Sequence, residues 1–355
     1  MPAFRSGRVE TILQERVGLQ RVLVSIDGNV ERAYVLTQLT GHVEVGDSVV
    51  VNTTAVDLGL GTGGWHVVHW NLTRDSYSAP GPGHIMKARY TSLQADVGSS
   101  EEHWTDLADV TSIEGMPVVA AALHSQVPAI AAAFKNARPD LRLAYVMTDG
   151  AALPMALSDL VAQLRERELL DATITCGHAF GGDYEAVSVY SALAVAKHIA
   201  HADATIVAMG PGIVGTATRL GFSGIEVGPV LDAAFGLGGL PIACLRVSFA
   251  DPRERHRGVS HHSVTALTIA MRGRALIPVP CVGGEEERIL REELAETGLA
   301  AQHELIDVPP IGIVDLLESL DLHVVSMGRP AAEDPVLFET AAAAGTVAAA
   351  RNVAG

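Results

Sequence analysis

The sequence predicts an α/β protein in which a small N-terminal β-barrel precedes a mainly parallel, doubly wound, Rossmann-like sheet. Three observations predict it. Residues 4–72 carry five short runs rich in Val, Ile, Thr and Trp, separated by turn formers. From Met116 onward, apolar runs alternate with helical stretches at intervals of roughly 20 to 37 residues, the size of a βα unit. Glycine, histidine and charged residues gather just after those apolar runs, the edge at which parallel sheets bind ligands.

The barrel runs are FRSGRVETIL, LQRVLVSID, VERAYVLT, DSVVVNTT and WHVVHWN, broken at Gly18, Asp27-Gly28 and Gly46-Asp47. GHVEVGDSVVV, a Gly-Asp turn feeding an apolar strand, is of the OB-like or SH3-like kind. Gly59, Gly61 and Gly64 match G-x-G-x-x-G but lead into a strand, so they read as a hairpin or lid and not a phosphate loop. Residues 73–115, with Pro80-Gly81-Pro82-Gly83 and weak periodicity, form a connecting segment.

Residues 116–355 make the parallel domain. Its strand candidates are PVVAAAL, LRLAYVM, ATITC, ATIVAM, PIACLRVSF, ALIPVPC, HELIDV and HVVSM. Helical stretches lie between most of them, such as PMALSDLVAQLRERELL, with apolar residues at the preceding Leu153 and at Leu157, Leu160, Val161 and Leu164. Eight units would also suit a (β/α)8 barrel; uneven intervals and short final repeats favour the open sheet. The Ala-rich helix after Asp334-Pro335 is expected to pack on the body or on a second subunit, and the simplest assembly is a two-fold homodimer.

Composition narrows the function. The 355 residues include 25 Lys+Arg and 41 Asp+Glu, a net charge of −16. That balance counts against broad contact with nucleic acid, which depends on neutralising phosphates. Mean hydropathy is +0.26. No apolar run approaches the roughly 18 residues of a membrane span, and charges occupy the N-terminus where a signal peptide has its apolar core. A cytoplasmic location is expected, with no membrane partner. Cys176, Cys244 and Cys281 form no C-x-x-C; the latter two read as core thiols in strands. G-x-S-x-G, a P-loop lysine and the kinase motifs are absent.

The candidate site follows from the strand ends. Gly210, Gly212 and Gly215, with Thr216, follow ATIVAM in a second G-x-G-x-x-G, whose missing Cβ atoms would let backbone N–H groups approach an anion. The acidic residue a dinucleotide site needs about 20 residues later is not there: Asp232 lies in a helix pattern and Asp251 is too distant. The richest loop is DPRERHRGVSHH, residues 251–262. Arg253, Arg255 and Arg257 with His256, His261 and His262 make a local anion trap in an acidic chain, or a solvated loop neutralised by Asp251 and Glu254. Ser260 is placed to cap the helix HHSVTALTIAMRG.

Other strand ends offer His124, Asp149, Cys176, His178 and Asp183. His178, His261 and Asp149 suit proton transfer, and Cys176 would be a nucleophile if a base stood near it. For a metal, His124, His178, Asp149, Asp183 and His261 would have to meet as an N/O set, since adjacent His261 and His262 are not expected to face one ion from a helix. Metal and cofactor stay open.

The segments NTTAVDLGLGTGGWH, HIMKARYTSLQ, AYVMTDGAALPMALSDLV, TCGHAFGGDYEAVSVYSAL, VAMGPGIVGTATRLGFSGIEVG and SFADPRERHRGVSHHS together resemble a bacterial, largely actinobacterial, family catalogued as a domain of unknown function (number 3866). The resemblance spans nearly the whole chain and implies no activity or catalytic residue. Two readings therefore stand: an enzyme acting on a small phosphorylated or carboxylated metabolite, or a metabolite-binding scaffold whose barrel contacts a partner.

Overall fold

A computed structural model describes residues 1–60 and 63–351. Contacts divide the chain into two units, Met1–Gly98 and Ser99–Gly355.

In the first unit, β1 (Phe4–Arg16), β2 (Leu19–Ile26), β3 (Asn29–Leu36), β4 (Ser48–Asn52) and β5 (Trp65–Asn71) close into a barrel in the order β1-β2-β3-β5-β4. The β2–β3 turn is Asp27-Gly28, whose φ values of 51° and 85° are the paired left-handed residues of a tight hairpin. Two register shifts in β1 bend it far enough to pair with both β2 and β4. Alternating valines fill the interior, among them Val9, Val22, Val24, Val35, Val49 and Val51. Residues 73–98 belong to this unit: Arg74 Nη2 donates to His42 O, and Met86–Lys87 pairs with Ala95–Asp96 in a short ribbon. Of the glycines expected to form a hairpin or lid, Gly61 lies outside the described residues.

The second unit holds an eight-stranded sheet: β6 (Pro117–Ala121), β7 (Leu143–Thr148), β8 (Ala172–Thr175), β9 (Tyr184–Glu185), β10 (Ala204–Met209), β11 (Leu240–Cys244), β12 (Leu276–Pro280) and β13 (Glu304–Val308). Its order is β9-β8-β7-β10-β6-β11-β12-β13, and every pairing is parallel. The sheet is open, so the closed (β/α)8 alternative is not realised. Seven of the eight expected strands are in it. The exception is HVVSM, whose Val325–Ser326 instead pairs antiparallel with Arg329–Pro330; the eighth strand is the two-residue β9. Residues of β6, β7 and β10 are buried on both faces, which is why they read as unbroken apolar runs.

Helices cover both faces. One layer contains α1 (Val127–Ala137), α2 (Asp159–Glu166), α7 (Ile313–Ser319) and α8 (Pro335–Arg351); the other contains α3 (Val189–His198), α4 (Val227–Gly236) and α6 (Gly284–Thr297). A short α5 (His261–Thr265) begins the segment that follows the arginine-rich loop. The stretch PMALSDLVAQLRERELL is only about half helix: Met155–Leu157 makes a 3-10 turn, and Ser158 then accepts from Val161 N to start α2 afresh. The Ala-rich α8 is buried nearly all round by its own chain and lies against α1, where Gly345 brings the two backbones close. Its one buried acid, Glu339, accepts from the N–H groups of Ile311 and Ile313.

Strand order positions the site. The chain winds from β6 outward to β9, returns to insert β10 beside β6, and then winds the other way through β11 to β13. Connections leaving β6 and β10 therefore diverge, and such a switch point opens a crevice at the carboxyl edge. Among the described residues, no helix is long and apolar enough to cross a membrane.

Candidate functional site

Past β11 the chain carries a charged residue, Arg246, into the interior, and the following loop turns back to neutralise it. Asp251 Oδ2 accepts from Arg246 Nη2 at 2.9 Å and Arg253 Nη2 at 2.7 Å, with Arg329 Nη2 at 3.7 Å. Arg329 also reaches Asp334 at 3.2 Å, and Asp334 accepts from Ser248 Oγ at 2.6 Å. Burial would raise the Asp251 carboxyl. Hydrogen bonds from the Arg253 side chain and backbone, with the charges of Arg253 and Arg246, outweigh it and hold the group well below the usual carboxylate range. Burial lowers Arg246 to about 10, so it keeps its proton at neutral pH. Three guanidinium groups thus share two carboxylates, and the cluster stays net positive.

Beside it stand three histidines. Ser260 caps α5 by accepting from His262 N, and its Oγ lies 2.7 Å from His256 Nδ1. This short local loop brings the rings of His256, His261 and His262 to centroid separations of 4.4 to 5.0 Å, each offering one nitrogen within 4.8 Å of the others. The expectation that His261 and His262 would diverge is therefore corrected. They occupy the first turn of a five-residue helix, where His256 folds over both. His262 also stacks on Phe222. Burial first, then the charge of Arg246 and neighbouring groups, lowers His256 to about 3; burial and His261 do the same to His262. Burial and Arg255 lower His261 as well. All three imidazoles are neutral at physiological pH.

Two cavities adjoin this cluster. The smaller, about 80 Å³, lies between Val214 and Gly215 on one wall and Arg246, Arg253, His256 and His262 on the other. The larger, about 470 Å³, is lined by Arg257, His261, Glu293 and Glu296 among others. Arg255 lines both. The glycine loop and residues 251–262 thus converge as expected.

The glycines act differently from a phosphate cradle. Residues 210–222 do not open a helix; Gly215 bridges back to Phe222, and α4 starts only after a 3-10 turn at Ser223–Glu226. Val214 N and Thr216 N are spent on Ser223 Oγ and Gly221 O, and Thr216 Oγ1 contacts Thr218 and Gly221. Gly210 is needed because a Cβ would sit 2.8 Å from Ala152 O, while Gly212 has a φ of 109°. The dinucleotide pattern lacks its helix as well as its acid.

The remaining predicted residues line neither cavity, and Asp183 is not at a carboxyl strand end as expected, because the chain turns back and places it before β9, level with Thr173 of β8. His124 is buried, with Nε2 2.7 Å from Ser158 Oγ and Nδ1 3.2 Å from Met209 O and from the Tyr145 hydroxyl; burial lowers it to about 4. Asp149 Oδ2 accepts from His178 N. Asp183 accepts from Thr173 N and pairs with Arg165. Cys176 is buried at the end of β8. The N/O set of His124, His178, Asp149, Asp183 and His261 does not form; the donor group among the described residues is His256, His261 and His262. Cys244 is buried as expected, whereas Cys281 falls just past β12, half-buried near Arg291.

Sequence reasoning passed over Arg246, Phe222 and Glu226. Arg246 carried a signal, a lone cation inside an apolar run. Glu226 sits against the end of β7, accepting from Thr148 Oγ1 at 2.5 Å; burial, with the charge of Asp149, raises its carboxyl to about 7 despite that hydrogen bond.

A family model described as "Protein of unknown function (DUF3866)" matches residues 32–345. No curated protein matches the chain.

Proposed function

This chain belongs to the DUF3866 family, whose description carries no activity, and we propose from the site itself that it is an enzyme acting on a small phosphorylated or carboxylated metabolite. One observation carries the reading: Arg246, Arg253 and Arg255 line one small cleft at the carboxyl edge of a parallel sheet, in a chain of net charge −16. Arginine forks suit carboxylate and phosphate oxygens, and a cluster already in charge excess attracts them. Arg255 contributes most to recognition, because Arg246 and Arg253 are partly committed to Asp251.

His261 is the proton-transfer group of this reading. Its imidazole is neutral, lines the larger cavity and stands next to the arginines, so it accepts a proton from a substrate held there. Asp149, His178 and Cys176 have no place in it, since they lie outside both cavities. The glycine loop serves as a wall.

Incubating the purified protein with metabolite extracts, followed by mass spectrometry of what is retained and what is converted, tests this. Retention of an anionic metabolite that falls at least about tenfold in Arg255→Gln, roughly the loss of one charged hydrogen bond, together with its conversion by the wild type, supports the reading. Retention without conversion would make the protein a metabolite-binding scaffold; equal retention by wild type and variant would overturn the cleft assignment.

A further inference from the structure

We propose that His256, His261 and His262 form a binding site for one divalent transition-metal ion of the Zn²⁺ type. The three rings each direct a nitrogen to within 4.8 Å of the other two. Imidazole ligands bound at roughly 2.0–2.1 Å around a tetrahedral ion stand closer together than this, so modest ring rotations complete the set. Such rotations are small beside those needed to assemble ligands from separate loops.

A second observation points the same way. His262 Nδ1 and His261 Nε2 are both inaccessible to water and make no hydrogen bond, and the His262 residue is only 7% exposed. A buried polar atom left unpaired is destabilising, and these two lie on neighbouring residues. A metal ion satisfies both at once.

The third ligand is already oriented. His256 is 2% exposed, and its Nδ1 lies 2.7 Å from Ser260 Oγ. With Nδ1–H donated to that oxygen, Nε2 keeps its lone pair for the ion. A ligating histidine commonly has its other nitrogen fixed by an oxygen in this way. Phe222 packs flat on His262 and holds that ring in place.

Charge decides whether a cation can stay beside Arg246 and Arg253. Both guanidinium groups contact the buried Asp251 carboxylate, which neutralises one of their two charges, so an anion on the ion's open position completes the balance. The imidazoles bring no negative charge, so the ion retains its full double charge and one open position for water or an anion. Imidazole donors without thiolate or carboxylate favour Zn²⁺, Co²⁺, Ni²⁺ or Cu²⁺ over Mg²⁺ or Ca²⁺. Metal binding is measured with no metabolite present, so its failure is distinguishable from that of the anion reading; with the ion bound, the His261 lone pair is on the metal, and the metal's open position takes over the proton-accepting role given to His261.

The test uses the full chain purified without a histidine tag, loaded with Zn²⁺ or Co²⁺, desalted and analysed by elemental mass spectrometry and visible absorption. The expected result is close to one ion per chain and the intense visible bands of a low-coordinate Co²⁺ centre. His262→Asn and the half-exposed His261→Asn should reduce occupancy to background, with circular dichroism reporting the fold. Ser260→Ala removes both the oxygen beside His256 Nδ1 and the cap of α5 and should weaken Co²⁺ binding by about 10- to 100-fold without removing a ligand. A wild-type chain that retains no ion, shows only the pale spectrum of hydrated Co²⁺, or loses nothing in folded His261→Asn overturns the proposal.

Discussion

The ring of His262 lies flat against that of Phe222, with centroids 3.8 Å apart and planes inclined by 2°. The contact ties the glycine loop to α5. Phe222 is 5% exposed, so Phe222→Ala should cost about 3–5 kcal/mol through the cavity it leaves. Phe222→Leu keeps most of the volume and should lose mainly the stacking term, about 0.5–1.5 kcal/mol. Urea denaturation of both variants checks the order; equal losses would mean that the cavity adds nothing to the lost ring contact.

Asp251 is the sole carboxylate contacting Arg246 within 4 Å among the described residues. Asp251→Asn strands a buried guanidinium, and the expected loss of stability is about 3–5 kcal/mol. Arg253→Gln, whose side chain is 41% exposed, leaves the buried pair intact and should change stability by less than about 1 kcal/mol. Thermal melts that show the two variants equally damaged would contradict this division.

Glu226 should make stability fall as pH rises. Its carboxyl titrates near 7 in the folded protein against an ordinary 4.5. Between those values the folded state holds a proton that the unfolded chain has released, so unfolding becomes easier with increasing pH. At 1.36 kcal/mol per pKa unit the total is about 3 kcal/mol. Glu226→Gln keeps a partner for Thr148 and removes the titration. Its advantage over wild type should therefore grow from pH 4.5 to 7 and then level off; a difference constant across denaturation curves at pH 4.5, 6 and 8 would refute the buried, protonated assignment.

Two helical glycines should respond oppositely to alanine. At Gly345 in α8 a Cβ would lie 2.2 Å from the Ile130 carbonyl oxygen of α1, a backbone atom that cannot step aside alone. The helix preference of alanine, about 0.5–1 kcal/mol, is then smaller than the overpacking cost of about 1–3 kcal/mol. At Gly236 nothing lies within 4 Å, so the same change should stabilise. Calorimetry of Gly345→Ala and Gly236→Ala decides; a gain at both positions would show that α1 and α8 separate freely.

Much of the site's setting was legible before any coordinates. Ser260 caps α5, Asp251 pairs with Arg253 of the same loop, and the glycine loop faces residues 251–262. What could not be read was which loops stay apart. His124 follows a strand's carboxyl end like the real site residues yet is locked between Ser158 and Tyr145, whereas Asp183 precedes β9, level with Thr173 near the start of β8, and pairs with Arg165. Helix periodicity also misled at His261 and His262, whose rings stand 4.4 Å apart, because it takes no account of side-chain reach or of His256, which the preceding turn brings beside both.

Local pattern by itself determined the two-part architecture. Valines alternating along short strands can only close a small barrel around themselves, and apolar runs buried on both faces require helices on each side. Tertiary structure alone decided the site, because inserting β10 between β7 and β6 is a long-range choice that no short stretch encodes. That insertion carries the Phe222 loop to the three histidines and leaves Asp149 two and His178 three strands away from β6. Chemistry at a sheet edge depends on which strands are neighbours, and neighbours are set by the packing of the whole chain.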